Sequence, residues 1–115
     1  MPLIRPRWRY YKTKSGVSPV RSFLNGLDDN DLARVTAEMR GVAADGLSVA
    51  RHLRGDIYEV RADGVHQSFR LLFAPEGSKG RILLALEVFS KRTQKTPPQT
   101  IDLAEKRLAD WRAGG

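Results

Sequence analysis

Glu59, Arg61, Arg70, Lys91 and Lys95 are the side chains of this chain whose types suit chemistry on a phosphate. RNA can be cut without a metal when a ribose 2′-OH attacks its own phosphate in line. A base must then take the hydroxyl proton, cations must stabilise the crowded anionic phosphorus centre, and an acid must protonate the departing 5′-oxygen. Arginine suits the second task, because its planar fork grips two phosphate oxygens. Lys91 or Lys95 can serve as acid or base among neighbouring cations. Glu59 is the conventional base candidate.

Other chemistries find less support. The absence of cysteine excludes disulfides, thiol catalysis and cysteine-held metals. His52 and His66 lie before and within a hairpin pattern and read as surface residues. With no tight carboxylate cluster beside them, neither a metal site nor a cofactor is expected. The segments "GVSPVRS" and "EGSKGR" lack the spacing of a phosphate-cradling glycine loop.

The formal net charge of +7 on 115 residues favours nucleic acid, an anionic surface or an acidic protein as partner. No stretch approaches the roughly 20 apolar residues of a membrane helix, and the basic N-terminus lacks the apolar run of a signal peptide. The expectation is one cytoplasmic domain, residues 1–115, with no membrane partner.

Several elements must position the candidate residues. "WRYYKT" suits a first strand. Ser18 before Pro19 reads as the cap of a short helix ending near Gly26. Asp28 or Asp29 caps a second helix, in which Leu32, Val35, Met39 and Val42 form one apolar stripe and which Gly46 stops. The pattern then changes to period two. "DIYEVRADGVHQSFRLLFAPEG" reads as two strands joined around Asp63-Gly64, and "RILLALEVFSK" as a third, central one. Thr96-Pro97-Pro98-Gln99 fits a capping box before a last helix, whose stripe is Ile101, Ala104, Leu108 and Trp111. Helices followed by strands predict an α+β domain with a mostly antiparallel sheet, helix-packed on one face and open on the other.

Side chains alternate along a strand. Tyr58, Val60 and Ala62, with Phe69, Leu71 and Phe73, are expected on the packed face, as are Ile82, Leu84, Leu86 and Val88. The other face would gather Glu59, Arg61, Arg70, Glu87, Phe89 and Lys91, with Arg92 and Lys95 just beyond. A lone arginine on a strand is usually only solvated. Several converging on one face of a basic domain suit a phosphate and a stacked base.

These segments resemble a known family. "HLRGDIYEVRADGVHQSFRLLFAPEG", "ILLALEVFSKRTQKTPPQTIDLAEKRLADW" and "SPVRSFLNGLD" together look like a RelE/HigB-type toxin of type II toxin–antitoxin systems, in its phage-derived HigB-like branch. The likeness covers roughly residues 8–112. It implies a RelE-like α+β fold, with an N-terminal helical hairpin, a curved, mostly antiparallel sheet and a C-terminal helix. It also implies a ribosome-dependent mRNA endoribonuclease (an mRNA interferase) that inhibits translation and is neutralised by a cognate antitoxin, often of helix-turn-helix type. Carried over by position, Glu59, Arg61, Arg70, Lys91 and Lys95 are the expected catalytic set. Arg54, Phe89 and Arg92 are the expected RNA contacts. Arg92 stands where the family signature usually has a second lysine, and no His or Tyr follows the last strand directly, which puts more weight on Lys and Arg. Two other readings fit the charge: a non-catalytic nucleic-acid-binding regulator of phage or mobile-element origin, and a structural protein whose basic face docks an acidic partner.

Overall fold

Alternating apolar and polar residues build a sheet whose two faces each bury an apolar set. The computed structural model describes residues 5–90 and 95–114. Its strands are β1 (Arg7–Tyr10), β2 (Arg51–Arg54), β3 (Ile57–Asp63), β4 (Ser68–Glu76) and β5 (Ile82–Ser90). Its helices are α1 (Pro19–Asn25), α2 (Asp29–Asp45) and α3 (Pro98–Arg112). The sheet order is β1-β5-β4-β3-β2; β1 runs parallel to β5 and the other pairings are antiparallel. This is the expected α+β arrangement. One strand went unread: β2, "RHLR", is too short and polar to show period two, and it turns back onto β3 at Gly55, whose φ of 55° suits glycine.

The helix signals act largely as read. Ser18 Oγ accepts from the Arg21 amide and Pro19 opens α1. Asp28 Oδ1 accepts from the Asp31 amide at 2.8 Å, and α2 ends at Gly46. The α2 stripe packs with Val20 and Leu24 of α1 against Val60, Ala62, Phe69, Leu71 and Phe73. The capping box does not form. The cap of α3 is Pro97, with no side-chain bond, and the Thr96 hydroxyl points into the sheet instead.

The open face is the main correction. Ala104 and Leu108 of α3 are buried against Ile57, Leu72, Ala74, Leu84 and Leu86, with Ile101 and Trp111 beside them. The apolar stripe of α3 needs a surface to bury against, and this sheet face supplies it. Glu59, Arg61 and Arg70 occupy the end of this face next to the α3 N-terminus.

A β-bulge redistributes β5. Phe73 pairs with Ala85 and Leu72 with Glu87, so Leu86 is the extra residue. Strict alternation would put Leu84, Leu86 and Val88 on one face. Instead Leu84 and Leu86 pack under α3, while Leu83, Ala85 and Val88 pack under α1 and α2. The extra residue shifts the phase, so Phe89 comes onto the α3 face with Leu84 and Leu86. Arg107 of α3 donates to the Leu86 carbonyl at 2.7 Å and lies 3.4 Å from Glu87.

Candidate nucleic-acid interface

Cross-strand register assembles the site. Arg61 of β3 lies directly opposite Arg70 of β4, and Arg70 directly opposite Phe89 of β5. Like charges facing each other across a ladder repel. Glu59, two residues before Arg61 and therefore on the same face, offsets that repulsion. It is 1% exposed, and its Oε1 accepts from Arg61 Nε at 2.9 Å. The other oxygen accepts from the Thr96 hydroxyl, to which Arg70 donates at 3.2 Å. Glu59, Thr96, Arg61 and Arg70 thus form one connected network at the α3 N-terminus.

The two arginines differ in exposure. The Arg61 side chain is 37% exposed, whereas Arg70 is buried. Burial lowers the pKa of the Arg70 guanidinium from its ordinary value; Glu59 opposes that shift, and Arg61 and Arg51 reinforce it. The group remains a cation, since arginine does not deprotonate in proteins.

Two contributors went unread as site residues. Arg51 pairs with Glu59 across β2–β3 and so stands on the same face. Its strand gave no periodic signal. Thr96 looked like a helix cap, and nothing in the sequence marks its contact with Glu59. A groove of about 380 Å³ adjoins the network, lined by Arg51, Leu53, Lys95, Thr96, Pro97 and Ile101 among others.

Of the expected residues, Glu59, Arg61, Arg70 and Phe89 share the α3 face, and Lys95 lines the groove beside them. Lys91 and Arg92 lie outside the described residues. Arg54 is engaged with α3: its guanidinium is paired with Asp102, and with Glu105 at 2.6 Å. His52 is exposed, with Nε2 2.7 Å from the Gly55 carbonyl oxygen.

The chain is similar to two curated proteins called "Probable endoribonuclease HigB1", from Mycobacterium tuberculosis strains CDC 1551 / Oshkosh and ATCC 25618 / H37Rv. Each is 28% identical over 114 residues, covering 96% of this chain and 89% of the relative. The pattern described as "Phage derived protein Gp49-like" matches residues 22–109, from α1 through most of α3, so the segments that resembled a HigB-like toxin lie largely within it, and the chain belongs to that family.

Proposed function

We propose that this protein is the toxin of a type II toxin–antitoxin pair, a metal-independent endoribonuclease that cuts mRNA on the ribosome in the cytoplasm. The observation that carries the reading is the Arg61–Arg70 pair held on one face by the buried Glu59 carboxylate. The family and the name of the relatives point the same way. Opposed guanidinium groups suit a scissile phosphate, which places an anion between them and relieves their repulsion.

In this reading the 2′-oxygen forms a bond to phosphorus as the bond to the 5′-oxygen breaks, leaving a 2′,3′-cyclic phosphate and a 5′-hydroxyl. One proton leaves the attacking hydroxyl and one reaches the departing oxygen. Arg61 and Arg70 carry the developing charge. Both oxygens of Glu59 are already engaged, which supports an anchoring part for it and gives the proton transfers to Lys91 and Lys95. Phe89 and Arg92 would hold the neighbouring nucleotide. Arg54 would act at the margin, since it already pairs with α3.

Codon-resolved cleavage of a ribosome-bound mRNA tests the proposal. Arg70→Ala should lower the rate by about 10²-fold or more, as loss of a charge stabiliser does, while thermal melts still show a cooperative transition, at a lowered Tm because one partner leaves a buried charge set. Full activity in Arg70→Ala removes the assignment. Salt-sensitive RNA binding without cleavage by the wild type would leave a non-catalytic binding module.

A further inference from the structure

A second cavity lies away from that network. It is a cleft of about 860 Å³ along the outer edge of β1, between α1 and the end of α3. Among the described residues β1 is the terminal strand, with β5 its only sheet neighbour. The amides of Arg7 and Tyr11 donate to carbonyls of Arg81 and Ala85. In a parallel ladder alternate residues face the partner, so Trp8 and Tyr10 direct their backbone N–H and C=O groups outward, along the cleft.

The edge carries a cation on either side. Arg21 of α1 lies over the Tyr10 ring at 4.9 Å, on one face of the sheet. Arg9 lies over the Trp111 ring of α3 at 5.7 Å, on the other. Each contact holds a guanidinium group beside the edge. Lys12 adds a further cation, and none of the described residues lining the cleft is a carboxylate. A polar strand edge between two cations, one on each face, is complementary to a strand bearing acids at adjacent positions. Successive side chains of such a strand point to opposite faces, one toward Arg21 and the next toward Arg9.

We propose that this cleft docks an extended acidic segment of a partner protein, which adds to β1 as a sixth strand. Taking that partner for an antitoxin rests on the toxin reading above. The docking itself does not, so the two can fail separately.

The test titrates the full chain with a labelled peptide of valine and paired glutamates, about seven residues long to span an edge strand. Fluorescence anisotropy should report saturable binding. Arg9→Glu combined with Arg21→Glu should weaken it by about tenfold or more, a loss of about 1.4 kcal/mol, with ribosomal cleavage unchanged. A second peptide, N-methylated at alternate residues so that it cannot pair with β1, should not bind the unaltered protein, a control that needs no variant to fold. Equal binding of both peptides would overturn strand addition in favour of plain charge attraction. Failure of the first peptide to bind, or its displacement by a single-stranded RNA oligonucleotide whose affinity the same double variant abolishes, would overturn the proposal.

Discussion

A carboxylate shut between a guanidinium and a hydroxyl is hard to replace. Glu59 is fully buried at the side chain, and Arg70 beside it is buried as well. Removing one partner from a buried charge set leaves the rest uncompensated. Glu59→Ala should therefore cost about 3–5 kcal/mol in denaturant unfolding, far more than an exposed carboxylate would. Thr96 makes a finer test. Its hydroxyl links Glu59 to Arg70, and a hydrogen bond to a charged group is worth about 1.5–3 kcal/mol. Thr96→Val should slow single-turnover cleavage by about 10- to 100-fold, and Thr96→Ser should keep most of the wild-type rate, because serine retains the hydroxyl and loses only the methyl. A third test concerns pH. The Tyr11 hydroxyl donates to Asp110 at 2.6 Å, and that bond, with burial and the Asp110 charge, raises the tyrosine pKa above 10.0 against the opposing pull of Arg107. A raised folded value means the native state holds the proton more tightly. The resulting stability is fully present below the ordinary value and is lost as pH climbs through the raised one. The wild type should thus lose Tm above pH 10.0 more steeply than Tyr11→Phe does, and parallel curves for the two proteins would remove the hydroxyl from the account.

Elements were more legible than their partners. Period two marked β3, β4 and β5, and caps and stripes marked the helices, because those signals are local. The alternation of Tyr58, Val60 and Ala62 against Glu59 and Arg61 was enough to bring Glu59, Arg61 and Arg70 onto one face. What covers a face is not local. The α3 stripe was visible, but no residue of α3 announces which side of the sheet it lands on, so the second face read as open. The bulge was equally silent, since Leu86 looks like one more apolar residue in a central strand. Arg107 ties these two unread features together through the Leu86 carbonyl, and its own side chain is mostly buried. Arg107→Met should leave that carbonyl without its donor and cost about 1–3 kcal/mol. For a domain of this size each kcal/mol lowers Tm by roughly 3–8 °C. The same change should perturb Phe89 before it perturbs β3, because the bulge sets the phase of β5 beyond Leu86. Chemical shifts that move on β3 and stay fixed at Phe89 would contradict this.

At the scale of the molecule, the net charge of +7 is a statement about association rather than fold. It draws any polyanion toward the protein, and a general attraction must be told apart from a seat for one phosphate. Part of the positive charge is engaged internally: Arg54 by Asp102 and Glu105, Arg112 by Asp56 and Glu76, Arg107 near Glu87. Those guanidinium groups hold α3 to the strands and contribute little to an RNA contact. The proposed contact set is Arg61, Arg70, Lys91, Arg92 and Lys95. If all of it meets phosphate, counterion release gives a slope of log K against log salt of about −3.5 for single-stranded RNA. Arg70→Ala should reduce the magnitude of that slope by about 0.7, the share of one phosphate contact. Arg112→Ala removes the same unit of charge from the chain but should leave the slope where it was; it should cost some stability, because Asp56 is exposed but Glu76 is only 13% exposed at the side chain and loses both of its hydrogen bonds from Arg112. Filter-binding titrations at several salt concentrations measure all three proteins. Equal slopes for Arg70→Ala and Arg112→Ala would mean that RNA responds to the total charge and not to the face that Glu59 organises.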